Sequence, residues 1–319
     1  MRAARVAADI MNTFRSLYSV GLIVAGIATL SMFASAQAPQ TPSQQAPRYS
    51  LGIPSIDEIP PEAIPPAPAP VRRAPPVPAP QAKSPEETAA YEKFVKEQRA
   101  DERIRLVEDF LLQYPDSELK QFAYQAASEA YRRKNDLGRM LTYAELTLAE
   151  NPENLQALLT LAKSLPESVS RDDPDFHDRV EEAEQHARKG IEVLTKAVRP
   201  ARVTAPQWQQ TRNEAESSAR LALGLTAMMR EDYAAAETEY AAALKLIEKP
   251  DALTLYRLGL TYSFLKKYDE SIDALQRAAA AGGVKSRTAG GAPRDLVAEA
   301  VAMVEKARGP VSTPTAPAP

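Results

Sequence analysis

Two stretches of this chain carry matching patterns of residues at an interval of 35 residues. The first reads Arg220-x-x-Leu223-Gly224, then Asp232-Tyr233-x-x-Ala236, then Tyr240-x-x-Ala243-Leu244. The second reads Leu255-x-x-Leu258-Gly259-x-x-Tyr262, then Tyr268-x-x-Ser271, then Leu275-x-x-Ala278. Apolar residues recur three and four apart, the period of a helix, and a short polar break separates two helices per stretch. A unit of that length is one helical hairpin, which buries its apolar side only by stacking on a neighbour. The glycine after leucine lets the first helix approach the second. Ala236 or Ser271 is the expected small contact on the second helix, with Tyr262 and Tyr268 beside it.

The same period runs from Ser84 onward. Helices are predicted at about 86–98, 101–113, 117–133, 136–149, 153–165, 174–198, 206–230, 232–248, 251–264, 268–281 and 293–308. Ser84-Pro85-Glu86-Glu87 is a helix start: a serine cap, proline at the first position and acids in the first turn. Tyr114-Pro115-Asp116-Ser117 and Asn151-Pro152-Glu153-Asn154 each stop one helix and cap the next. Valine and isoleucine nowhere alternate with polar residues, so no strand is expected.

These motifs resemble the tetratricopeptide repeat family. A weaker unit in phase reads Tyr124-x-x-Ala127-Ser128-x-x-Tyr131, with Met140 where the family prefers alanine. Another has Leu158-x-x-Leu161-Ala162-x-x-Leu165 followed by an insertion from Pro166 to about Asp173. The resemblance covers about 86–283 and implies an all-α, right-handed superhelical solenoid of antiparallel helix pairs. Residues 284–308 supply a C-terminal capping helix whose stripe is Leu296, Val297, Ala300, Val301 and Val304. In the family the groove residues fall on the first helix of each unit. The matching positions are Ser218, Leu221, Leu225, Met228 and Met229, then Leu253, Tyr256, Leu260, Ser263 and Phe264. The resemblance therefore implies an apolar partner-binding groove of Leu221, Leu225, Met228, Met229, Tyr256, Leu260 and Phe264. In the unit at Tyr124 the corresponding positions are Phe122, Gln125, Glu129, Arg132 and Arg133, a more polar end.

The ends of the chain have another character. Residues 1–36 read as a secretory signal peptide: Arg2, Arg5 and Arg15, an uncharged run from Leu17 to Phe33, then Ala34-Ser35-Ala36 before Gln37. Cleavage there makes the protein periplasmic or secreted. Retention would make the run an inner-membrane anchor and the membrane a partner. Residues 37–85 hold fifteen prolines and predict an extended, disordered proline-rich linker. Residues 309–319 form a Pro/Thr/Ala tail with no reason to fold.

Composition narrows the function. A net charge of −3 argues against broad neutralisation of nucleic-acid phosphates. The absence of cysteine removes disulfides, thiolate sites and a lipoprotein anchor. There are two histidines. His177 sits in an acidic run that reads as a helix start, and His186 on a polar helix face. No phosphate loop, nucleophile elbow or zinc-binding H-E-x-x-H occurs. The expectation is thus no catalytic residues, no metal and no cofactor, with neither nucleic acid nor a small-molecule substrate. The partner is another protein or peptide, held by an exported scaffold. The alternatives are a structural subunit of a cell-envelope assembly with its groove permanently filled, or an enzyme of unrecognised type.

Overall fold

The computed structural model describes residues 80–286 and 293–309. The signal peptide, nearly all of the linker, Gly290-Gly291 and all but Gly309 of the tail lie outside the described residues.

Eleven α-helices are formed among the described residues. They pair in order: α1 (Pro85–Lys96) with α2 (Ala100–Gln113), α3 (Lys120–Arg133) with α4 (Leu137–Glu150), α5 (Leu155–Ser164) with α6 (Phe176–Lys196). Next come α7 (Ala205–Met229) with α8 (Tyr233–Leu244) and α9 (Ala252–Phe264) with α10 (Tyr268–Ala280), and α11 (Leu296–Arg308) closes the stack. Each helix packs chiefly on its neighbours in sequence, the contact pattern of an all-α solenoid.

Local chemistry sets the helix ends. The side chains of Ser84, Asp136, Asn154, Asp232 and Asp251 each accept a hydrogen bond from the backbone N–H three residues on. Three hairpins share one turn. Asn135, Glu231 and Lys266 adopt positive φ of 58°, 64° and 61°. The next residue donates its N–H five residues back, Asp136 to Tyr131, Asp232 to Ala227 and Lys267 to Tyr262, at 2.9–3.0 Å. This is a left-handed helix stop directly followed by the next cap.

Close approach within the hairpins follows the glycines. A Cβ on Gly224 would lie 2.7 Å from the Tyr240 ring, and one on Gly259 would lie 2.7 Å from Leu275 Cγ. The residue facing each glycine is therefore the large one sixteen positions on. Ser271 still contributes, as its hydroxyl donates to the Gly259 carbonyl at 2.7 Å. Ser128 does the same to the Met140 carbonyl at 2.9 Å, so a hydroxyl joins the two helices in the unit that has serine at the position of Gly224 and Gly259.

The core forms a succession of apolar clusters along the stack. Phe94, Val107, Phe110, Ala123, Ala127, Tyr131 and Leu161 belong to the N-terminal part. Ala162, Ala187, Ala222 and Leu223 join the third hairpin to the fourth. Tyr240, Leu255, Leu258 and Leu275 build the C-terminal part, on which α11 lays Leu296, Val297, Ala300 and Val304.

Two expectations need correction. Residues 81–84, expected at the end of the linker, pack on the first hairpins. Gln81 N–H donates to Glu118, Lys83 Nζ donates to the Asp116 carbonyl at 2.6 Å, and Ala82 touches the core. A short antiparallel pairing also exists, Lys285 opposite Asp295 and Ser286 opposite Arg294, where no strand was expected. Two residues are too few to show alternation. The pairing is positioned by Gly282 and Gly283 at positive φ and by the Leu296 N–H donating to the Val284 carbonyl.

Candidate functional site

Helix α3 presents two faces. Ala123, Ala127, Ala130 and Tyr131 are buried against the core. Phe122, Gln125, Glu129 and Arg132 share another face, because they recur three or four apart. They line a cleft of about 430 Å³ between the first helices of three successive hairpins. Tyr91 and Val95 of α1 form one wall, and Gln156 and Thr160 of α5 form the other.

Its polar groups are held in place. Gln125 accepts from the Asn154 side-chain amide at 3.1 Å, and Gln121 accepts from the Asn151 amide at 2.7 Å. Asn154 also caps α5, so one turn positions both the helix and the groove. Arg132 grips Glu129 through two hydrogen bonds of 2.8 and 2.7 Å, and Arg133 adds a third at 3.2 Å. The Arg132 fork, with Arg133 behind it, holds the Glu129 carboxyl below its ordinary range against the opposing effect of burial. Arg103 is buried at the cleft base, donating to the Glu97 carbonyl at 2.7 Å. Burial, followed by the charge of Arg133, pushes its guanidinium below its ordinary value.

The apolar positions named from sequence stand elsewhere in the packing. Leu225 and Met229 are buried together with Val169, Phe176 and Val180. Met228, Tyr256 and Leu260 are buried in the C-terminal core, and the Tyr240 hydroxyl meets the Met228 sulfur at 3.4 Å. Leu221 and Phe264 are half-buried, and Phe264 stacks on Tyr233 with ring centroids 4.3 Å apart. Ser263 is buried as well, whereas Ser218 and Leu253 are half-buried.

The insertion expected from Pro166 to about Asp173 accounts for part of this. It carries Val169 to Leu225 and Met229. Arg171 donates to the Met229 carbonyl at 3.0 Å and pairs with Glu231 at 2.5 Å. Glu167 reaches past α7 to Arg257 of α9 at 3.1 Å. The open part of the groove is thus the polar N-terminal cleft, at positions the family count had also identified.

The histidines divide. His177 is exposed, edge-on to Phe176. The acids around it act locally: Asp173 accepts from the Ser170 N–H, and Asp175 precedes α6 and pairs with Arg179. His186, expected on a solvated face, is largely covered, its Nε2 buried 3.6 Å from Glu182. Burial pushes its pKa down, partly offset by Glu182 and Glu145. The wheel of α6 alone does not show that α4 lies against this face, where Arg179 links to Glu145. Among the described residues, no three metal-ligating side chains converge.

No protein-family model matches the chain. No curated protein matches it either. Solved structures similar to it include a thermophilic TPR protein of Thermus thermophilus, at 16% identity and TM-score 0.40, covering 61% of this chain and 90% of that one. PilF of Pseudomonas aeruginosa is similar at 14% identity and TM-score 0.44, over 62% and 79% of the two chains. A tetratricopeptide repeat protein of Parabacteroides merdae is similar at 14% identity and TM-score 0.30, over 69% and 97%. Likeness at this level carries no functional argument. The chain's own hairpins repeat one geometry, Gly224 against Tyr240 and Gly259 against Leu275 in one register, in an all-α solenoid of helical hairpins.

Proposed function

We propose that this chain is an exported scaffold that holds another polypeptide in the cleft between α1, α3 and α5. The observation that carries the reading is the composition of that cleft. Tyr91, Val95 and Phe122 offer an apolar seat, and Gln156 and Thr160 offer donors and acceptors for a peptide backbone. Its volume of about 430 Å³ suits a few side chains of an extended or helical segment. Export is supported by the sequence of residues 1–36, with Gln37 as the mature N-terminus. The alternative of a permanent occupant has less to fill, because the C-terminal groove positions Leu225 and Met229 are already covered by the insertion.

A photo-crosslinking residue placed at Gln156 of the exported protein tests the site, with exposed Leu112 on α2 as control. Gln156 is expected to label one discrete partner that Leu112 does not. Thr160→Arg, which fills the cleft while sparing the core, should abolish that product. Equal labelling from both positions, or labelling indifferent to Thr160→Arg, would exclude the cleft. N-terminal sequencing that finds Met1 on envelope material would exclude cleavage.

A further inference from the structure

The third and fourth hairpins meet in a projection. Helix α6 has 21 residues and α7 has 25, against 10–14 for the other helices of the described residues. The level at which they leave the stack can be read from contacts. Gly190 of α6 lies against Leu155 and Leu159 at the start of α5. Ser217 of α7 donates to the Ala243 carbonyl near the end of α8. Residues 205–216 of α7 therefore continue past their hairpin partner for about 18 Å at the helical rise. Nearly all side chains from Val198 to Thr211 are exposed, with Val203 and Trp208 half-buried.

The tip is locally basic in a chain whose net charge is −3. Residues 193–213 contain Lys196, Arg199, Arg202 and Arg212 and no aspartate or glutamate. Lys196 pairs with Glu192 across an exposed contact of 2.5 Å, a pairing of little worth in water. Arg199 spends one N–H on the Val203 carbonyl and keeps its charge. Neither Arg202 nor Arg212 forms an ion pair among the described residues. Apolar groups stand between these cations: Val198 is 82% exposed, and Val203 and Trp208 flank the turn.

We propose that this basic, tryptophan-bearing tip docks on an anionic phospholipid bilayer. Cations without acids are attracted to an anionic surface, each contributing about 1 kcal/mol near it. Valine and tryptophan at the apex suit the boundary between headgroups and acyl chains, where an indole has both an apolar and a wet side. The proposal does not depend on the cleft.

The test uses a property of the sequence: Trp208 is the single tryptophan, so its fluorescence reports the tip alone. Full-length protein is mixed with vesicles of phosphatidylcholine containing phosphatidylglycerol, and separately with phosphatidylcholine alone. With the anionic vesicles, Trp208 emission should move to the blue and be quenched by brominated acyl chains. The effect should weaken sharply from 0.1 M to 1 M salt, as the Debye length falls from about 10 to about 3 Å. The triple variant Arg199→Gln, Arg202→Gln, Arg212→Gln should lower partitioning about a hundredfold with its far-UV spectrum unchanged. Three results would overturn the proposal. Equal response to neutral vesicles removes the electrostatic basis. Co-sedimentation without Trp208 quenching assigns binding to another segment, such as the apolar N-terminal run. A Trp208 shift with polyglutamate or a nucleic acid but not with vesicles assigns the tip to a different macromolecule.

Discussion

Gly224 and Tyr240 occupy one space: the three ring atoms nearest the glycine would stand 2.7–2.9 Å from any Cβ placed there. Tyr240 is fully buried and meets Met228 through its hydroxyl, so the ring has little room to retreat. Gly224→Ala is therefore expected to destabilise the protein by about 1–3 kcal/mol, the usual range for overpacking. Chemical denaturation measures this. Adding Tyr240→Leu should make the two changes strongly non-additive, whereas simple additivity would mean that the contact is not the cause.

The left-handed turns give a prediction of opposite sign. Lys266 holds φ of 61° on an exposed turn, a conformation that a side chain disfavours by about 1 kcal/mol and glycine does not. Lys266→Gly should raise stability by about 0.5–1 kcal/mol, with the unfolded-state entropy of glycine offsetting part of the gain. A lower denaturation midpoint would show that the lysine side chain makes a contact worth more than the strain.

Groove positions should separate by stability. Leu225 is 1% exposed, so Leu225→Ala is expected to cost about 2–5 kcal/mol, as buried leucine truncations do. Gln156, exposed on the cleft wall, should tolerate alanine within about 0.5 kcal/mol. If Leu225→Ala left the midpoint unchanged while removing partner capture, the apolar positions would regain their role as an open binding wall.

His186 should give the protein a response to mild acid. Burial lowers its folded pKa, so the unfolded chain binds the proton first. Stability is then complete above the unfolded value of about 6.5 and falls as the pH drops below it. Between pH 7.5 and pH 5.5, the melting temperature should fall more in the wild type than in His186→Gln. Glu182 and Glu145, whose charges act on the ring, and Arg179, which pairs with both, are left unchanged. Parallel curves for the two proteins would place the acid response on other groups.

Helix order was legible because most of the helices carry their own period or a cap, such as Asp232 before the alanine-rich α8, whose apolar residues lie all round, and Asp251 before α9. The polar cleft was legible too, since Phe122, Gln125, Glu129 and Arg132 share one face of one helix. What sequence could not show is contact across helices. Ala236 was the expected neighbour of Gly224, but Tyr240, one turn further on, swings its ring into the gap. The path of the insertion carries no period, so nothing indicated that Val169 would cover Leu225 and Met229. His186 was misread for the same reason, because a helical wheel contains only its own helix.

The Glu167–Arg257 pair joins the third hairpin to the fifth and passes over the fourth. In a stack where each unit senses only the next one, melting can begin at either end and travel unit by unit. A link between next-nearest units relaxes that rule locally, by the roughly 0–1 kcal/mol that a solvent-accessible ion pair contributes. Amides of the fourth hairpin should then exchange slightly faster in Glu167→Gln than in the wild type. A partner seated in the N-terminal cleft would touch the third hairpin as well as the first two, because Gln156 and Thr160 of α5 form one of its walls.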